Sequence, residues 1–413
     1  MYDYKRKTLP MNVIVPIYLI VMLVAIPQLS ETIYVPALVN LSQSFHISAA
    51  AAEATLTVYL LGFGCGVLIW GSLSDRIGRK PGFILGLLIY AAACYGCYAT
   101  TNIDMFYAFR FIQAFGASVG SVLGQAVARD AISSENRGRL FSVIAMAMAF
   151  APAFGPVIGS LTLHYSDWNN VFLVLIGISI AALLLVAFRL PETRDLSKLT
   201  QGSLLTLCKK CFLQMINDPK VLGYGFMVGS VNGIMFGYFA EAPFFFIENL
   251  AMSPEFFGAS SFLICLPLLL GGIISHRSHA KRRTSQSILH QGIYIVLTFG
   301  ILFYLLVMAN MINELSNIQS IVISYSCIFG VIVGVSLIIP NALSHALQNY
   351  SQYAGTAASL FGFYYYAIVS AMTALMAYMH NGKLTQLPIF MCIQGISMLC
   401  VFRFTIREKL KTV

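Results

Sequence analysis

Stretches of roughly 20 apolar residues, the length of helix that crosses about 30 Å of hydrocarbon, recur twelve times along this chain. They start near residues 12, 48, 80, 104, 139, 168, 220, 255, 287, 318, 355 and 387. Hydrocarbon offers no water to exposed N–H and C=O groups, so a spanning segment must be a helix or part of a closed barrel. The alternating ten-residue pattern of barrel strands is absent from the sequence. An all-α membrane protein with twelve transmembrane helices is the expected fold class. Composition agrees: 58% of residues are hydrophobic and 10% charged, with a mean hydropathy of +0.79, whereas soluble domains carry charge on about a quarter of their residues.

The bases set the orientation. With a cytoplasmic N-terminus, the inner segments hold Lys5, Arg6 and Lys7, then Arg76, Arg79 and Lys80, then Arg129, Arg137 and Arg139. The central region adds Arg189, Arg194, Lys198, Lys209, Lys210 and Lys220, the fourth inner loop Arg277, Lys281, Arg282 and Arg283, and the tail Arg403, Arg407, Lys409 and Lys411. Lys383 is left outside and Arg110 within the membrane. Loop bases confined to one side follow the positive-inside rule, so the net charge of +9 sets topology and is not a nucleic-acid patch. An even number of spans puts both termini in the cytoplasm.

The first apolar run is too long for a cleaved leader, and no A-x-A site follows it, so it counts as the first span. Of nine cysteines, seven fall inside spans, and Cys208 and Cys211 face a reducing cytosol, which argues against a disulfide framework. The pair in "CKKC" offers a metal only two ligands, and His164, His276, His279, His345 and His380 show no metal-ligand spacing; no metal and no cofactor are expected. The one long polar interruption, residues 191–219, divides the chain into an N-terminal bundle at 1–190 and a C-terminal bundle at 220–413, six spans each. Paired bundles suit a transporter whose halves rock about a central site. No G-x-x-x-x-G-K-[ST] phosphate loop occurs, so ATP is not the expected energy source.

Between the second and third spans lies "WGSLSDRIGRKP". Gly71, Asp75, Arg76, Gly78, Arg79 and Lys80 match G-x-x-x-D-R-x-G-R-[RK], and on this pattern in this loop the chain resembles the major facilitator superfamily. The resemblance implies a latch closing the cytoplasmic side, with Asp75 facing the start of the eleventh span near Gly355 and Arg79 paired with Asp130 at the end of the fourth. "RFIQAFGAS", from Arg110 to Ser118, is similar to that family's fourth-helix motif. "APAFGPVIGS", with Gly155, Pro156 and Gly159, resembles the fifth-helix motif of antiporters, where small residues permit close crossing. "SETIYVPAL", "PFFFIENLAMSPEFFG" and "PNALSHALQNYSQYAGTAASLFG" resemble the bicyclomycin and chloramphenicol resistance (Bcr/CflA) branch of drug:proton antiporters. That branch usually has an aspartate where this chain has Thr32, and here the acid stands one residue earlier, as Glu31.

Ionisable residues inside a membrane cost about 2.5 to 3.5 kcal/mol each at a helix centre and point to mechanism. Counted from the outer ends of their spans, Glu31 and Arg110 lie at the same depth, roughly 9 to 10 Å at 1.5 Å per residue. They are the expected proton-coupling pair in direct contact, on the argument that a guanidinium nearby lowers a carboxyl's hold on its proton and burial without one raises it. Gln28 and Tyr34 on the first span, Gln113 on the fourth, and Asn232, Tyr238 and Glu241 on the seventh are the candidate substrate contacts. Glu53 is expected to serve the dipole of the second helix's first turns. Glu255 starts a helix behind Ser253 and Pro254.

The expectation is a monomeric, proton-coupled antiporter that exports small organic compounds across a bacterial inner membrane, with protons, substrate and lipid as its partners and no nucleic acid. The alternative is a dedicated transporter of one natural metabolite, such as a siderophore, sugar or amino acid. An enzyme is disfavoured because no catalytic spacing stands out within the spans, and a channel because no filter motif occurs.

Overall fold

A computed structural model describes residues 15–131, 134–194, 204–309 and 316–406. The bases at 5–7, 198 and 407–411 fall outside the described residues, as does the expected start of the first span near residue 12. The membrane helices are α1 (Ile17–Ser44), which passes through a 3₁₀ turn at Val35–Ala37, α2 (Ala49–Ile77), α3 (Arg79–Ala99) and α4 (Ile103–Ala131). They continue as α5 (Ser134–Tyr165), α6 (Asn170–Arg189), α7 (Pro219–Ala242) and α8 (Pro254–Ala280). The last four are α9 (Ser285–Met308), α10 (Asn317–Ala346), α11 (Ala354–Met379) and α12 (Gln386–Val401). A shorter connecting helix, Leu204–Ile216, lies between α6 and α7.

Eleven of these are long and apolar enough to cross a membrane. The remaining one, α7, has the length, 24 residues, but is diluted by Lys220, Asn232, Glu241 and five glycines. Its glycines explain the low hydropathy. Gly225, Gly229 and Gly233 meet Tyr364, Ile368 and Met372 of α11 in steps of four, so α7 is a packing helix, buried by protein and not by lipid. The side chain of Asp218 accepts from the backbone N–H of Lys220 and Val221 and caps its start, as Ser48 caps α2 and Ser253 the first turn of α8.

The twelve helices form two six-helix halves, α1–α6 and α7–α12, which meet along two seams. Along the first, α2 runs antiparallel to α11: Gly71 faces Ser359, Gly64 faces Tyr366, and Ser370 Oγ donates to the Thr57 carbonyl at 3.0 Å. Along the second, the far end of α5 meets the start of α8, where Gly258 packs on Ser160 and Phe154 on Phe262. His164 and Glu255 close that seam at 2.9 Å. α1 is wrapped by α4 and α5, and its approach to α5 depends on glycine. A side chain at Gly155 would overlap Thr32, and one at Gly159 the Ile33 carbonyl.

Candidate functional site

The largest buried cation sits in the first half. Arg110 of α4 is fully buried, and its guanidinium carbon lies 4.0 Å from the centre of the Tyr34 ring and 4.2 Å from that of Tyr59. Phe172 stands at 6.0 Å. Desolvated ring faces attract a guanidinium by about 2 kcal/mol, so α1 and α2 together clamp it. One edge is fixed as well: Arg110 Nη1 donates to Gln113 Oε1 at 2.5 Å, and Gln113 Nε2 reaches Cys94 Sγ at 3.0 Å. Tyr34 is held in turn, its hydroxyl 3.3 Å from Thr55 Oγ1.

The expected direct pairing of Glu31 with Arg110 is not formed. Glu31 is buried, both of its oxygens lack a hydrogen-bond partner, and so do Arg110 Nε and Nη2. The two charges are close enough to interact through space, and the rings of Tyr34 and Tyr59 against the guanidinium leave its Nε and Nη2 edges open. Ser30, Tyr59 and Tyr90 add three buried hydroxyls without partners, and Tyr365 and Tyr366 of α11 lie within electrostatic reach of Glu31. The result is a polar centre bounded by α1, α2, α3, α4 and α11, with open hydrogen-bonding capacity of both signs. Buried polar groups are normally satisfied, so such a cluster is suited to receive water, a proton or a polar ligand.

The one-residue offset on α1 has a structural meaning. Thr32 donates its hydroxyl to the Gln28 carbonyl at 3.1 Å and packs at the α1–α5 crossing over Gly155. Glu31, about 100° round the helix, faces the polar centre. Of the other expected contacts, Tyr34 and Gln113 touch Arg110, and Gln28 is half-buried one turn from Glu31. The Asn232 amide donates to the Val228 carbonyl of its own helix at 2.8 Å. Tyr238 is buried in the second half beside Tyr325 of α10, whose hydroxyl lies 2.5 Å from Ser260 Oγ.

At the end carrying the basic loops, the signature residues form a compact network. Arg79 pairs with Asp75 at 2.9 Å and Asp130 at 3.3 Å, and donates to Ser74 Oγ at 2.5 Å. Gly78 supplies the turn at φ 101°, a conformation suited to glycine, and Arg76 is exposed. Lys80 Nζ donates to the Ala187 carbonyl at 2.7 Å. Two residues in this network lay outside the sequence motif. Glu192 accepts from the backbone N–H of Arg79 and Lys80 at 2.9 and 3.1 Å, placing an anion on the N-terminus of α3, and Arg194 lies 3.6 Å from Asp75. The ion-pair partners found for Asp75 are Arg79 at the start of α3 and Arg194 in the linker after α6, and a side chain at Gly355 would meet open space. Pro156, between the two crossing glycines, lies inside α5.

The opposite end corrects two expectations. Glu53 does not serve the first turn of its helix; it is completely buried and lies 2.8 Å from His380 Nδ1. Glu241, named from the sequence as a candidate substrate contact, is also buried, with Oε2 2.9 Å from the same nitrogen. Burial opposes charge on His380, but the two carboxylates outweigh it and push its pKa up to about 10. Sequence spacing held no trace of this trio because each member comes from a different helix: α2, α7 and the residue after α11.

Two six-helix halves joined along two seams, with a charged centre buried among spanning helices, make up a multi-pass membrane protein, and its family makes it a transporter rather than an enzyme. The chain belongs to the Major Facilitator Superfamily, whose family model matches residues 20–374. It is 33% identical over 388 residues to an uncharacterized transporter of Rickettsia felis, covering 93% of this chain and 94% of that one. It is 25% identical over 354 residues to a bicyclomycin resistance protein homolog of Haemophilus influenzae, covering 86% of each. A solved D-xylose-proton symporter superposes with a TM-score of 0.72 at 13% identity, over 96% of this chain and 99% of that one, a likeness of fold alone.

Proposed function

We propose that this protein is a proton-coupled antiporter that exports small organic compounds of the drug or antibiotic class across a bacterial inner membrane by alternating access, with both termini in the cytoplasm. The observation that carries the reading is the polar centre: an acid on α1 and a cation on α4, buried together, out of contact and each with unused hydrogen-bonding capacity. Glu31 loads and unloads the proton as the Arg110 guanidinium withdraws or approaches. Substrate competes for the same groups, so that proton and substrate occupy the centre in turn. Tyr34, Tyr59 and Gln113 fix where the guanidinium rests. Asp75, Arg79, Asp130 and Glu192 act at the cytoplasmic gate, and Gly155, Pro156 and Gly159 let α5 move closely over α1. The resistance proteins among its relatives support the substrate class. One proton moving through 100 mV releases about 2.3 kcal/mol, enough for roughly a fiftyfold gradient of a neutral solute.

The test is uptake into inverted vesicles under an imposed pH gradient, comparing wild type with Glu31→Gln. Proton-dependent uptake is expected to vanish in the variant; uptake that keeps its proton dependence removes Glu31 from the coupling step. A panel of unrelated antibiotics gives the breadth, and a response to one compound alone would favour a dedicated metabolite transporter.

A further inference from the structure

The packing of α11 delivers one residue to two places at once. Its parallel register with α7, seen at Gly225, Gly229 and Gly233 against Tyr364, Ile368 and Met372, continues two four-residue steps to set Glu241 beside His380. Its antiparallel register with α2, seen at Gly71 and Ser359, Gly64 and Tyr366, and Thr57 and Ser370, ends with Glu53 beside the same histidine. One ligand-type atom from each of the three residues lies within 4.8 Å of the others. Glu53 and Glu241 are 0% and 1% exposed, whereas the His380 side chain keeps 12%, so solvent reaches the cluster along the imidazole.

With both carboxyls ionised, the cluster is one positive charge short and one donor short, a deficit that either a carboxyl proton or a bound cation makes good. A single Nδ1–H cannot serve two carboxylates 2.8 and 2.9 Å away, and neither oxygen of Glu53 has a hydrogen bond. Even with a charged imidazolium, two buried carboxylates leave a net charge of −1 in surroundings made by buried Phe244, whose ring centre lies 5.3 Å from that of His380. Gln386, tied to the Met379 carbonyl next to His380, has its Oε1 buried without a partner. A doubly charged ion on a neutral ring closes the balance and occupies the empty carboxylate oxygens.

We propose that Glu53, Glu241 and His380 form a binding site for one divalent cation of the zinc class, bridging α2 of the first half to α7 and α11 of the second. An imidazole nitrogen with two carboxylate oxygens is a donor set for zinc, with a fourth position left for water on the solvent side of the ring. At metal–ligand distances of about 2.0–2.2 Å, tetrahedral ligand atoms stand roughly 3.3 Å apart, so each carboxylate oxygen, now 2.8 or 2.9 Å from Nδ1, needs to draw back from the ring by only about half an ångström. Binding displaces the Nδ1 proton to solvent. A bridging ion ties the two halves together at this end of the bundle, and zinc added on that side would inhibit transport whatever the substrate.

The test needs no transport assay. Full-length protein purified in detergent and stripped with chelator is titrated with zinc chloride alone by calorimetry, and with cobalt(II) by visible spectroscopy. The expected result is one saturable site per chain that magnesium does not compete for. Zinc binding should weaken at least thirtyfold in the isosteric Glu53→Gln and Glu241→Gln and in His380→Ala, and return in His380→Cys, where a thiolate replaces the ring. The cobalt complex should show tetrahedral d–d bands that disappear in Glu53→Gln. Absence of saturable zinc binding by the wild type below millimolar concentration overturns the proposal. So does binding that Glu53→Gln and His380→Ala leave unchanged, or a His380→Cys variant that elutes as folded protein without regaining the site.

Discussion

Arg79 and Arg110 are both buried arginines of the first half, and they are satisfied by opposite means. Arg79 stands at a bundle end, where Asp75 and Asp130 keep 44% and 32% of their side-chain exposure and so retain much of their hydration. There it is met by two carboxylates and a hydroxyl. Arg110 lies in the middle of the bundle, where a carboxylate drawn into contact would be stripped of water at a cost that its attraction need not repay. It rests between two aromatic faces, with one amide partner and two N–H edges unused. The contrast separates an arginine that holds structure from one that keeps capacity for a guest.

Three substitutions sharpen or break that contrast. The largest effect is expected from Arg110→Lys, which keeps the charge but replaces a plane that two rings can sandwich with a compact ammonium. Leaving Glu31 without its delocalised counter-charge is worth about 3 kcal/mol or more, and transport should fall at least roughly a hundredfold while the protein still elutes as a monodisperse species. Full activity in the lysine variant would mean that charge alone matters and that the ring clamp is incidental. Next comes Arg79→Ala, which strands Asp75 and Asp130; because both are partly hydrated, the expected loss is about 1–3 kcal/mol of stability. It is read as a lowered thermal midpoint in detergent, with substrate affinity of the folded fraction unchanged. A loss of affinity without a loss of stability would assign Arg79 to the guest site. The smallest effect is expected at Gly355→Ala. Nothing stands near that position, so thermal stability should move by no more than about 1 kcal/mol, and upward if the helix start gains from the better helix former. A marked destabilisation would show that the start of α11 is pressed against another element in the resting protein, as the signature motif implies.

How much of this was legible in the sequence varied with the range of the interaction. The starts of α2 to α12 fell within a few residues of the apolar runs, because insertion depends on local hydropathy. The Arg79–Asp130 pair followed from the family resemblance that a ten-residue pattern carries. Glu31 and Arg110 were marked by charge and depth, but the surroundings of the guanidinium were not, since one of the two rings against it, Tyr59, comes from a third helix. Tyr34 and Gln113, which lie near the two charges in sequence, meet Arg110, whereas Tyr238 lies beside Tyr325 in the second half, a position set by the packing of α7 on its neighbours. Glu53 was assigned to its own helix dipole because that was the only partner visible nearby. His380 and Glu192 carried no signal at all: one is the single histidine after α11, the other an acid in a polar linker.

What the sequence determined by itself is the set of spanning helices, their alternating direction and the few charges that hydrocarbon must accommodate, since each follows from the transfer cost of a short segment. What only the tertiary structure decided is which of those charges meet. Contact between helices depends on rotation about their axes and on register over many turns, and small residues such as those of α7 and α5 fix both by allowing one approach and excluding the rest. Two such registers meeting at His380 join residues far apart in the chain, and no local pattern encodes that coincidence.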